Sequence, residues 1–84
     1  MSESIHQRRE RRREFLRRLY LHVDGSISEF VNAYELGVNL GIDEGEVRKI
    51  FEYLEEKRLV MVDDHRAGIV RLTAAGVDEV EGSA

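Results

Sequence analysis

The chain has 84 residues, no cysteine and a formal net charge of −4. One domain of this size buries only about 60–65% of its unfolded surface, so its core is small and self-association would add to it. The lack of cysteine excludes a disulfide framework, a thiolate metal site and a cysteine nucleophile, and with no apolar run near the roughly 18 residues of a membrane span and no signal-peptide pattern, a soluble cytoplasmic protein is expected.

The charge is unevenly placed along the chain. Met1 to Arg18 holds seven arginines (Arg8, Arg9, Arg11, Arg12, Arg13, Arg17, Arg18) against three glutamates, or +4, which leaves −8 for the remainder. Beyond Met1, Ile5 is the one large apolar side chain before Phe15. Residues 1–14 therefore read as a basic arm, either a polar lead-in or a solvated helical extension. Phe15, Leu16, Leu19, Tyr20 and Val23 then form an apolar stripe that predicts a first helix ending at Asp24-Gly25.

The next start signal is ambiguous. Ser26 with Glu29 fits a capping box, while Ile27 between serines equally fits a short extended segment before a helix capped by Ser28. A second helix is expected to begin between Ser26 and Ser28 and to run to Leu40. Ile27, Phe30, Val31, Tyr34 and Val38 would line one of its faces, and Ala33, Leu36, Gly37 and Leu40 the other. One face serves the core; the other either meets a partner subunit or is buried within a small domain.

Gly41-Ile42-Asp43 is a short turn into a third helix. Gly41 suits the positive φ of a helix end that changes direction, and Gly37 suits close helix contact. Asp43 with Glu46 is an acidic capping box, and Val47, Ile50, Phe51 and Leu54 follow as a buried stripe. Leu59 to Val62 and Ile69 to Leu72 are β-branched and aliphatic segments separated by six polar or small residues, the pattern of a hairpin. Thr73 caps a last helix from Ala74 to Val80, and residues 81–84 are expected to fray.

This order of helix, helix, turn, helix and two-stranded hairpin, closing with Leu72-Thr73-Ala74-Ala75-Gly76, resembles the winged helix-turn-helix family of DNA-binding proteins, small bacterial and archaeal transcriptional regulators among them. The resemblance covers roughly residues 15–80. Glu35-Leu36-Gly37 and Leu40-Gly41-Ile42 match the family's helix-turn pattern, and Leu54 to Val60 its passage from recognition helix into wing. The fold it implies is mostly α with a small β-hairpin: a three-helix core, a two-stranded wing and a short C-terminal helix.

The resemblance also implies an interface. Its recognition helix is Asp43 to Lys57 and its wing tip Asp64 to Gly68. Glu44, Gly45, Arg48, Lys49 and Glu52 point away from the apolar stripe and would face base edges, with His65 and Arg66 at the wing tip against an adjacent groove or backbone. The arginines from Arg8 to Arg18 would neutralise phosphates. Phe15, Leu16 and Leu19 of helix one, with Ile27, Phe30, Val31 and Tyr34 of helix two, are expected to form a homodimer interface, setting two recognition helices roughly 34 Å apart.

Two features oppose this reading. Asp43, Glu44, Glu46, Glu52, Glu55 and Glu56 outnumber Arg48, Lys49 and Lys57 on the third helix. The same fold also serves as a protein-interaction module, in which case the Arg-rich arm docks on an acidic partner. Enzymatic and membrane functions are not expected: His6, His22 and His65 lack metal-ligand spacing, no Gly-rich phosphate loop is present, no cofactor is implied, and the arginine run has no apolar face to insert.

Overall fold

A computed structural model describes residues 4–82, so Met1 to Glu3 of the expected arm and Ser83 and Ala84 of the expected tail lie outside the described residues. The elements are α1 (Ile5–Val23), β1 (Val31–Asn32), α2 (Ala33–Asn39), α3 (Glu44–Glu56), β2 (Val60–Asp64), β3 (Ile69–Leu72) and α4 (Ala74–Gly82). The four helices accompany a small antiparallel sheet of order β1-β3-β2.

The basic segment continues the first helix. Ser4 and Gln7 form a reciprocal capping box: Ser4 Oγ accepts from Gln7 N at 3.2 Å, and Gln7 Oε1 accepts from Ser4 N at 3.0 Å. From this cap the helix runs unbroken into the turns that bury Phe15, Leu16, Leu19 and Val23. Arg13 pairs with Glu10 at 3.6 Å and Arg18 with Glu14 at 3.1 Å along its exposed side.

The second helix is much shorter than expected. Residues 26–30 form a loop, and Val31 and Asn32 are extended, pairing with Val70 and Ile69 on the outer edge of β3. Asn32 then caps α2, its Oδ1 accepting from Tyr34 N at 3.0 Å and Glu35 N at 3.2 Å. The hairpin leaves the outer edge of β3 unpaired, and Val31 and Asn32 satisfy its backbone groups while Val31 is buried in the core. The sheet consequently has three strands, not the two expected.

Three helix ends share one construction. At α1, α2 and α3 a residue in the left-handed region follows the last turn: Asp24 (φ 52°), Gly41 (φ 72°) and Arg58 (φ 62°). In each case its N–H bonds the carbonyl three residues back, and the next N–H bonds the carbonyl five residues back, as with Ile42 N to Gly37 O at 2.9 Å and Leu59 N to Leu54 O at 2.9 Å. This is the Schellman arrangement, which satisfies carbonyls that the helix leaves open. Asp43 Oδ1, accepting from Glu46 N at 3.0 Å, starts α3 after the turn.

The hairpin and α4 close the core. Met61 pairs with Arg71, and a register shift between Val62 and Asp64 bends β2 near the hairpin end. Thr73 Oγ1 accepts from Gly76 N at 3.0 Å and donates to Arg58 O at 2.7 Å, so one side chain caps α4 and secures the exit from α3. The expected fraying begins too early, because Glu81 and Gly82 belong to α4 and Glu81 accepts a hydrogen bond from Tyr20 at 2.8 Å. Phe15, Leu19, Val47, Phe51, Val70 and Leu72 are the largest fully buried side chains, drawn from α1, α3 and β3. Gly37 lets α2 and α3 approach: a Cβ there would meet Val47 Cγ2.

Candidate functional site

The solvent side of α3 is the direct consequence of its buried stripe. With Val47, Ile50, Phe51 and Leu54 turned inward, Glu44, Gly45, Arg48, Lys49 and Glu52 are all exposed, as expected from their spacing. Arg48 is held by a neighbour, its Nε donating to Glu52 Oε2 at 3.3 Å in an i,i+4 pair. Both side chains are about half exposed, so this pair contributes little to stability and opens at little cost.

The hairpin tip is tied to the same helix. His65 Nε2 lies 3.0 Å and 3.1 Å from the two carboxylate oxygens of Glu55. The tip itself is organised by Asp64, whose Oδ1 accepts from Ala67 N at 3.0 Å, and by Gly68 at φ 71°. Gly68 is also covered by the Tyr34 ring, and its carbonyl accepts from Ala33 N at 2.7 Å. Arg66 remains exposed at the turn.

The arginines of α1 divide between surfaces. Arg9, Arg12, Arg13 and Arg17 line a groove of about 640 Å³ between α1, the C-terminal half of α3 and α4. Lys57 stands on its opposite wall, Leu16 and Leu54 form its buried floor, and Tyr20, Leu21, Leu59 and Val80 supply apolar surface within it. The Arg12 guanidinium carbon lies 4.0 Å from the centroid of the Tyr53 ring, a cation–π contact joining the two walls. Arg18 belongs to another flank, beside Leu21, His22, Leu36, Asn39 and Leu40. Arg8 and Arg11 are exposed on the first turns and do not line the groove. The seven arginines of α1 are therefore spread over more than one surface.

The expected dimer interface is corrected by the core. Phe15, Leu16, Leu19 and Val31 are at most 6% exposed within one copy of the chain, because they pack against α3 and the sheet. Tyr34 is half-buried, its ring meeting Phe51 edge-on at 5.8 Å between centroids. Ile27 and Phe30 alone of the seven are exposed, in the loop before β1. Sequence spacing could not separate a partner-facing stripe from a core-facing one, since both demand the same apolar pattern.

Sequence reasoning also missed Tyr53 and Lys57 as groove residues. Their positions relative to Leu54 place them on the flank of α3, but only the approach of α1 turns that flank into a wall. Set against protein-family models, curated proteins and solved structures, the chain matches none. Among the described residues, no helix is long and apolar enough to cross a membrane.

Proposed function

We propose that this chain is a winged helix-turn-helix that binds duplex DNA, a small cytoplasmic transcriptional regulator in which α3 enters the major groove and the β2–β3 tip reaches the flanking backbone. The observation that carries this reading is the position of the hairpin tip, where His65 meets Glu55 on the last turn of α3. A helix preceded by a tight turn and flanked by a hairpin can then meet one face of a duplex with both elements. The succession α2, turn, α3, β2, β3 supports the same reading.

Within it, Gly45 permits close approach of the helix N-terminus, and Arg48 and Lys49 meet guanine edges or phosphates. Arg48 exchanges Glu52 for DNA on binding. Glu44 and Glu52 suit donors such as the cytosine amino group rather than phosphates. An acidic reading helix repels the backbone, so this protein depends more on matched bases than a basic one does, and its binding to random sequence is weak. Dimerisation through α1 is not part of the reading, because the residues it would use are core.

The test is selection from a random duplex pool at low salt, followed by titration of the enriched duplex at two salt concentrations. Binding that weakens with salt, and that falls about tenfold or more in Arg48→Ala or Lys49→Ala, is expected. A pool that shows neither enrichment nor low-salt binding overturns the proposal.

A further inference from the structure

We propose that the groove between α1, α3 and α4 docks an acidic amphipathic helix of a partner protein, on a surface separate from the α3 face assigned to DNA. The groove has a built geometry. Arg9, Arg13 and Arg17 recur every four residues along α1, so they form one row with a pitch of about 6 Å. Lys57 rises from the opposite wall, and the exposed Leu21 and Tyr53 with the half-buried Leu59 and Val80 contribute apolar surface between them. From Arg9 to Leu21 the α1 wall runs for about 18 Å, the length of a three-turn helix.

Charge complementarity chooses the occupant. Five cationic side chains line the groove against one carboxylate, Glu79. Glu10 and Glu14 partly offset Arg13 and Arg17 at 3.6 Å and 3.9 Å, in exposed i,i+3 pairs that exchange readily. A partner helix with carboxylates at i and i+4 repeats the pitch of the arginine row, and each Arg–carboxylate contact is a charge-assisted hydrogen bond. Apolar residues on the same helix cover the leucines and Val80, as in helix-in-groove recognition. Nucleic acid matches the cations but leaves the apolar surface uncovered. A second copy docking its own groove symmetrically would set arginine row against arginine row.

The probe is a fluorescein-labelled synthetic helix of about 15 residues, with leucines at i, i+3, i+4 and i+7 and glutamates flanking them. A control peptide carries lysine at every glutamate. Anisotropy with the full chain gives affinity, and amide chemical-shift mapping gives location. The glutamate peptide is expected to bind saturably and to shift residues of α1, Tyr53, Lys57 and Val80. Arg13→Glu with Arg17→Glu, and separately Lys57→Glu, should weaken it about tenfold or more, and Lys49→Glu should leave it unchanged. Arg13 and Arg17 side chains are 71% and 60% exposed, so the paired variant keeps the core, and circular dichroism verifies this. The proposal is overturned if the glutamate peptide fails to bind, or if the lysine peptide binds equally. It is also overturned if random duplex DNA shifts the same residues and displaces the peptide, or if the groove instead mediates self-association that Arg13→Glu with Arg17→Glu abolishes.

Discussion

Arg12 lies over Tyr53, with its guanidinium carbon 4.0 Å from the ring centroid, and so joins the basic half of α1 to the exposed flank of α3. A double-mutant cycle with Arg12→Ala and Tyr53→Ala should give a coupling energy of about 0.5–1 kcal/mol, the range for a partly exposed cation–π pair. Additive losses in chemical denaturation would show that the ring and the guanidinium merely lie near each other.

Two glycines allow close packing, with unequal tolerance. A Cβ at Gly37 meets Val47 Cγ2, the end of a side chain, whereas one at Gly76 meets the carbonyl oxygen of Leu59, which is backbone. Gly37→Ala should cost roughly 1–3 kcal/mol by overpacking, and Gly76→Ala should cost more, because α4 must move as a unit. Urea midpoints for the two variants measure the order; a smaller loss for Gly76→Ala would contradict it.

Arg58 occupies a left-handed position that glycine takes without steric penalty. Its two neighbouring hydrogen bonds are backbone only, Arg58 N to Glu55 O at 2.8 Å and Leu59 N to Leu54 O at 2.9 Å, so the side chain is not needed for them. Arg58→Gly is expected to raise stability by up to about 1 kcal/mol. Arg58→Ala, which keeps a Cβ, should not.

Tyr20 links α1 to α4 by donating to Glu81 Oε2 at 2.8 Å. That hydrogen bond raises the phenol above its ordinary value of 10.0, with burial and the charges of Glu81 and Asp24 acting in the same direction. Above pH 10 the unfolded chain has therefore released this proton while the folded chain retains it. The stabilisation is complete below that pH and is lost as pH rises through the raised folded value. Melting temperature should fall less steeply with alkaline pH in Tyr20→Phe than in the parent chain, and Glu81→Gln should flatten the profile in the same way. Parallel profiles for all three would remove Tyr20 as the cause.

Much of the helical framework is legible in the sequence. Asp43 as a cap, Gly41 as the turn, the Val47 to Leu54 stripe and the hairpin all follow from short-range chemistry that acts within about one or two helical turns. The β1 strand was not legible in this way. Val31-Asn32 fits a helix locally, and its one clue was Asn32 three residues before Glu35, a cap signal masked by the stronger serine pattern upstream. Only the free edge of β3, where Val70 and Ile69 pair with Val31 and Asn32 from far along the chain, made extension the better choice.

The same division holds for the candidate sites. Sequence by itself determined which residues of α3 face solvent, because helical periodicity sorts them, and it determined that positive charge gathers in α1. Tertiary structure decided that Phe15, Leu16, Leu19 and Val31 are core rather than dimer surface, and that four of the seven arginines share a groove with Lys57. The reason is physical: periodicity states that a face must be covered, but only the packing of α1 against α3 and α4 states by what.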